Sequence, residues 1–220
     1  MAQIESEILQ LKEEVINMWV LVNAQLRKAK LAMIDFDKDL AWEVIVKEKR
    51  VNGYELKIDR DCENILAIRT PVAVDLRFVL AVLKINNNLE RIGDIAEGIA
   101  KYIIHTEAKF STELLKSSKV LEMLEVGFSI LDDALAAFEN ENTMLARGIF
   151  QRDEFLDEIN KSAIEFAKAY LQEHPSETDE LLHVLSIIRK LERVGDQTKN
   201  IAEEIIFYIE AKVLKHNNDK

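Results

Sequence analysis

Apolar residues recur at steps of three and four along almost the whole chain. Phe78, Val82, Ile85, Leu89, Ile92, Ala96, Ile99 and Ile103 form one such run, and this spacing draws a single apolar stripe along a long helix. Ile8, Leu11, Val15, Met18, Val22 and Leu26 draw a second near the start. No stretch carries the alternation and tight-turn chemistry of a β-hairpin. The pattern predicts six helical segments, at about residues 4–34, 38–69, 72–105, 112–139, 143–173 and 176–215, with the Asn-rich end frayed. Each is roughly 45 Å long at 1.5 Å rise per residue. The breaks carry start and stop chemistry. Asp37 can cap the second helix and Ser111 or Thr112 the fourth, while Asn140-Glu141-Asn142 interrupts the pattern before the fifth. Thr70-Pro71 reads as a cap followed by a first-turn proline, and Ser176 with Asp179 as a capping-box-like pair after Pro175.

The stripe repeats itself. Leu89-Glu90-Arg91-Ile92-Gly93-Asp94 returns as Leu191-Glu192-Arg193-Val194-Gly195-Asp196, and Val82, Ile85 and Ile99-Ala100 return as Val184, Ile187 and Ile201-Ala202 without a gap. One internal period near half the chain length marks a duplicated unit. Short turns make neighbouring helices antiparallel. The expected fold is therefore all-α: two tandem antiparallel three-helix bundles, residues 1–109 and 110–220, built from six long helices.

Polar positions beside the stripe carry the candidate chemistry. Glu90 and Asp94 are four apart and share a helix face, and a glycine lies between them in both copies. A mid-helix glycine costs roughly 1 kcal/mol against alanine, so its double appearance predicts close approach of another backbone or room for a ligand. The second helix of each half carries a matching pair in the same phase. Glu48 and Asn52 flank Val51, and Asp153 and Asp157 flank Leu156, with Glu55 and Asp59 extending the first stripe. Antiparallel packing would gather Glu48, Asn52, Glu90 and Asp94 in one half, and Asp153, Asp157, Glu192 and Asp196 in the other. Carboxylates that close cannot all stay ionised without a counter-charge. Protonation, Arg91 and Arg193, or bound cations could supply it. An all-oxygen set suits Mg²⁺, Ca²⁺, Mn²⁺ or iron and disfavours structural zinc. With four carboxylates against three and an amide, the second half is expected to bind more tightly.

Composition narrows the classes. The chain is 48% hydrophobic with six glycines and two prolines, as a packed helical protein should be. A formal charge of −11 opposes nucleic acid and anionic membrane surfaces as partners. The one cysteine, Cys62, excludes an internal disulfide and reads as a small buried hydrophobe in a reducing cytosol. The start carries no signal-peptide pattern, and no apolar run is long enough for a transmembrane span, so a soluble cytoplasmic protein without membrane insertion is expected.

These strings resemble the PhoU family, whose members carry two three-helix repeats. The string at Leu89 to Asp94 stands in full and its copy has valine for isoleucine. Arg69-Thr70-Pro71-Val72-Ala73-Val74-Asp75-Leu76-Arg77, followed by Leu83-Lys84-Ile85, also looks like the family's turn into its third helix. The similarity runs over essentially the whole chain. The resemblance implies multinuclear metal clusters on the bundle surface, with iron or zinc, and manganese or magnesium also compatible with the donors. Their ligands would be Glu48, Glu90, Asp94, Asp153, Asp157, Glu192 and Asp196. Asn52 and Asn88 depart from the family's usual aspartates. It further implies a non-enzymatic negative regulator of phosphate uptake and phosphate-starvation signalling. Such a regulator links the ATPase subunit of a phosphate ABC transporter to a sensor histidine kinase, peripheral at the inner face of the plasma membrane through those partners.

Two other readings compete. A ferritin-like di-iron enzyme could use the Glu180-Leu181-Leu182-His183 spacing, but those sites need a second such motif, and His105, His174 and His216 do not complete one. A helical interaction module with wet acidic stripes would take up no metal. A homodimer is expected through Trp19, Phe128 and Leu131 on helices one and four.

Overall fold

A computed structural model describes residues 2–214, and all the regular secondary structure among them is helical. Helix α1 (Ala2–Asp35), α2 (Lys38–Asn64) and α3 (Ala73–His105) form the first bundle. The second holds α4 (Thr112–Ser117), α5 (Val120–Asn140), α6 (Thr143–Glu173) and α7 (Thr178–Glu210). The all-α architecture of two three-helix bundles is as expected, with one extra helix. Neighbours run antiparallel, as Lys28–Glu43 and Lys57–Glu14 show for α1 and α2, and Arg147–Glu210 and Lys199–Asp153 for α6 and α7.

Local chemistry explains most boundaries. Asp37, Ser111 and Asn142 accept from the backbone N–H three residues on, as N-caps do. The expected single fourth helix is broken at Ser118-Lys119, where Lys119 takes φ 58°. The break lets Leu114, Leu115 and Val120 all reach the core, which one straight helix would not allow. The second helix ends in a π-helical turn, Ile65–Arg69, and its carboxy-terminal cap Thr70 has φ 46°. Thr70 thus ends one helix and does not cap the next; α3 begins at Ala73, and Val72 before it supplies no side-chain cap. Ser176 likewise is not a cap. Pro175–Glu177 forms a 3₁₀ turn, and Thr178 Oγ1 donates back to the Pro175 carbonyl at 2.9 Å. Helix α7 stops at Glu210 because Ala211 turns left-handed, φ 56°. The frayed end expected beyond residue 214, with His216, lies outside the described residues.

The halves are joined as a pseudo-two-fold pair, α3 against α7 and α1 against α5, both antiparallel. Lys84–Glu204 at 3.0 Å and Asn200–Asn88 at 3.4 Å fix the α3–α7 register. Lys190 lies against Gly98 in the same register, which sets Gly93 opposite Gly195. At one end of the interface Trp19, Phe78, Phe138 and Tyr208 pack as one aromatic cluster, with ring centroids 5.4–6.2 Å apart. Trp19 is fully buried and its indole N–H donates to the Leu131 carbonyl at 3.2 Å. Phe128 and Leu131 are buried as well, Phe128 beneath Arg27. The three residues assigned to a dimer surface therefore hold α1 to α5 inside one chain. A period of 3.6 finds an apolar face but not which neighbour covers it. Among the described residues no helix is long and apolar enough to cross a membrane.

Candidate metal centre

Helices α2 and α3 bring the first acidic group together. The Glu48 carboxylate is 6% exposed; its Oε2 accepts from Asn52 Nδ2 at 2.6 Å, while its Oε1 has no hydrogen-bond partner. Burial raises its pKa, the charges of Asp94 and Glu97 add to that, and Lys101 and the Asn52 bond oppose it. Glu90 is pushed up to about 7, first by burial, then by Asp94, Glu55 and Glu48, with Arg91 acting against them. Glu55 is raised by burial and then by Asp59 and Asp94. Glu48, Glu55, Glu90 and Asp94 thus form one field, joined by Glu97. Sequence reasoning missed Glu97, although its place three residues after Asp94 keeps it near the same face. Asn52 sits as expected but acts as a hydrogen-bond donor to Glu48, the role an aspartate could fill only when protonated. Asp59 is drawn along the helix to accept from Asn86 Nδ2 at 2.9 Å.

Helices α6 and α7 build the second group. Asp153 is 1% exposed, with Oδ1 unpartnered and Oδ2 accepting from Lys199 Nζ at 3.2 Å. Burial raises the Asp153 pKa; Lys199 opposes the shift, and Asp157 and Asp196 add to it. Glu192 is raised by burial and then by Asp196, Asp157 and Asp153, and Asp196 by burial and then by Asp157. Burial alone would lower the Lys199 ammonium, but the bond to Asp153 and the fields of Asp153, Asp196 and Asp157 hold it above its ordinary value. All four expected carboxylates are therefore gathered, with a cation the sequence count omitted. Lys199 was visible three residues after Asp196, in the position that Glu97 holds in the first half. The second half's extra carboxylate is offset by this ammonium, which weakens the ground for expecting tighter binding there.

The repeated glycine makes room for side chains of the facing helix. A Cβ on Gly93 would stand 3.1 Å from Val51 Cγ1, and one on Gly195 would stand 2.7 Å from Leu156 Cδ1 and closer still to Asp153 Oδ1. So Gly195 lets the buried carboxylate lie flat against α7. Cys62 is buried, its thiol pushed up to about 12, chiefly by burial, which leaves it no nucleophilic role. His183 packs against Tyr102 with the rings tilted by 52° and centroids 5.5 Å apart.

The donor chemistry fits a hard cation. Two buried carboxylate oxygens lack partners, and groups of like charge are pressed together where burial already disfavours ionisation. Among the described residues, however, no three Asp, Glu, His or Cys side chains close on one point in the arrangement a metal ion takes.

The profile of the PhoU domain matches residues 15–103 and again 120–205. The chain belongs to the PhoU family. The phosphate-specific transport system accessory protein PhoU of Edwardsiella tarda is 33% identical over 97% of this chain and 87% of its own length. The crystal structure of PhoU from Pseudomonas aeruginosa superposes with a TM-score of 0.85 at 30% identity, covering 94% of this chain and 99% of that one. The phosphate transport system regulatory protein PhoU from Streptococcus pneumoniae gives 0.83 at 28% identity, covering 96% and 99%. This is a family of accessory and regulatory proteins, not of enzymes, which sets aside the di-iron enzyme reading.

Proposed function

We propose that this chain is a cytoplasmic accessory regulator of phosphate uptake and phosphate-starvation signalling. In this reading it is a metal-dependent helical adaptor between the ATPase subunit of a phosphate ABC transporter and a sensor histidine kinase. Its place at the inner face of the plasma membrane comes through those partners. The observation that carries the metal part is the pair of buried, unpartnered carboxylate oxygens, Glu48 Oε1 and Asp153 Oδ1, at equivalent places in the duplicated halves. The names of the relatives support the phosphate-transport part.

Glu48, Glu90 and Asp94, with Glu55 beside them, would hold a divalent or ferric ion in the first half, and Asp153, Asp157, Glu192 and Asp196 one in the second. Iron, manganese, magnesium or zinc each suit such oxygen donors to differing degrees. A bound cation would neutralise the clustered charge and offer open coordination positions to a partner's acidic or phosphate groups. The protein's own part is to hold the carboxylates near one another on packed helices, from which their side chains would close on the ion. Asn52 orients Glu48, Gly195 admits Asp153, and Arg91 and Arg193 temper the field.

Elemental analysis of protein purified without chelator tests this, beside Glu90→Ala/Asp94→Ala and Glu192→Ala/Asp196→Ala. Metal present in the parent and lost from the matching variant supports the reading, and a metal-free parent with intact folding defeats it. Titration with Mn²⁺ of Asp157→Ala against Asn52→Ala ranks the two halves. Recovery of the ATPase subunit in a pull-down should fall when chelator is added, and equal recovery would reject metal-dependent docking. Homodimerisation belongs to the same reading and is checked by sedimentation, on a surface other than Trp19, Phe128 and Leu131.

A further inference from the structure

The charge of −11 is unevenly spread. On one side of the α3–α7 seam a cleft of about 500 Å³ is lined by Arg91, Lys101, Tyr102 and His105 from α3 and by Lys190 and Arg193 from α7. Its carboxylates are Asp94 and Glu97, and Glu97 is already matched by Lys101 at 2.6 Å. Arg91 and Arg193 are the two arginines of the duplicated string, brought near each other by the register that sets Gly93 opposite Gly195. Four arginines of the chain are ion-paired, Arg27 with Asp132, Arg69 with Glu7, Arg147 with Glu210 and Arg152 with Asp133, and Arg50, Arg60 and Arg189, which have no such partner among the described residues, do not line this cleft. The guanidiniums of Arg91 and Arg193 have no hydrogen bond or ion pair among the described residues.

Lys190 is placed by construction. Its ammonium lies where a side chain on Gly98 would be, 2.5 Å from an added Cβ, and over the Tyr102 ring at 5.8 Å. The duplication supplies a comparison within the molecule. The positions equivalent to Lys190, Lys101 and His105 are Asn88, Glu203 and Phe207, and Gly98 is matched by Asn200. The cationic convergence therefore exists on one side only, and inheritance from the repeat does not explain it. Unpaired guanidinium forks suit a tetrahedral oxyanion, which accepts two parallel N–H bonds from each. The cleft volume is within the range of small-molecule sites, larger than a free phosphate needs.

From this convergence of cations, of which Arg91 and Arg193 make no hydrogen bond or ion pair among the described residues, we infer that the α3–α7 cleft binds a phosphate-type oxyanion, held by Arg91 and Arg193 with Lys190 and, at the rim, Lys101, without a bridging metal. The anion is either inorganic phosphate or the phosphoryl group of a nucleotide.

Calorimetric titration of metal-stripped protein with inorganic phosphate, ATP and sulfate tests it, alongside Arg91→Gln/Arg193→Gln and the distant control Arg152→Gln. Saturable binding of phosphate or ATP is expected, weaker by at least about tenfold in the double variant and unchanged in the control. Saturation by phosphate assigns the free anion, and saturation by ATP alone assigns the nucleotide. Should the double variant lose its helical circular dichroism, Lys190→Ala serves in its place, with a loss of about threefold or more. No saturable binding of any of the three anions overturns the inference, and so does binding undiminished in a folded variant. Phosphate binding that appears only after Mn²⁺ is added also overturns it, because the anion would then belong to the acidic groups.

Discussion

Alanine at Gly195 separates two opposing effects of known size. In a helix interior the change gains about 1 kcal/mol in propensity. Against this, the new Cβ would lie 2.7 Å from Leu156 Cδ1 and nearer still to Asp153 Oδ1. Leu156 is fully buried, and Asp153 is held through Oδ2 by Lys199. Asp153 must rotate and give up a charge-assisted bond of about 1.5–3 kcal/mol, or α6 and α7 must part at an overpacking cost of about 1–3 kcal/mol. Subtracting the propensity gain leaves a net loss of up to about 2 kcal/mol, a Tm lower by up to about 8 °C for a chain of this size. At Gly93 the same substitution meets only Val51 Cγ1 at 3.1 Å, so the two effects nearly cancel. Thermal unfolding of both variants followed by circular dichroism decides the matter. Gly195→Ala should melt clearly below Gly93→Ala, and Asp153→Ala in the Gly195→Ala background should add less than it does alone. A Gly195→Ala protein as stable as the parent would refute the view that this glycine exists to seat Asp153.

Lys119 is exposed and left-handed at the α4–α5 break; Lys119→Gly removes a backbone cost of about 1–2 kcal/mol and adds unfolded-state entropy of about 0.5–1 kcal/mol. A slightly raised denaturant midpoint is expected, and a lowered one would exclude strain there. In metal-free protein the Glu90 carboxyl, at about 7 when folded against an ordinary value of 4.5, binds its proton more tightly folded than unfolded. Stability is therefore greatest below the unfolded pKa and declines as pH rises from about 4.5 to 7; urea midpoints should show this slope, and Glu90→Gln should flatten it. Lys199→Met removes the partner of Asp153. The metal-free protein should lose about 1–2 kcal/mol, since the ammonium is 42% exposed, and Mn²⁺ should raise its Tm by more than it raises the parent's; an equal rise would show that Lys199 does not oppose cation binding.

The long helices and their pairing were legible because nearly every buried position follows a 3.6-residue period, and the repeat made the second half a check on the first. Three features escaped for physical reasons. Trp19, Phe128 and Leu131 lie on apolar stripes wide enough to face two neighbours, and periodicity alone does not tell a core from a contact between molecules. The break at Lys119 has no glycine or proline to announce it; the burial of Val120 and Leu115 forces the turn that local preference would not. Thr70 and Ser176 have capping chemistry but stand where the backbone takes a π or 3₁₀ turn, and a cap works only when its backbone is extended. The acidic groups were found because spacing by four fixes a shared face. Lys199 and Glu97 were not, because a single charge three residues further on is indistinguishable in sequence from any solvated helix position.

Those two residues decide how the duplication should be understood. A repeat that kept both halves alike would give two equal cation sites, and the recurring glycine, arginine and carboxylates point that way. The replacements break the equality in one direction. The first half adds Glu55 and Glu97 to its field and has Asn52 to orient Glu48, so its charge is relieved from the rim, by Lys101 on Glu97 and Glu48 and by Arg91 on Glu90. The second half carries its own ammonium against the most buried carboxylate of the set. A cation entering the second half would have to displace Lys199 from Asp153, whereas Glu48, the buried carboxylate of the first half, is held by the neutral Asn52 amide, with no ammonium bonded to it among the described residues. The basic cleft also borders the first group, since Asp94 lines both. The pseudo-two-fold frame thus holds two similar scaffolds in fixed register, and the side chains that differ across it concentrate both charge signs around Asp94.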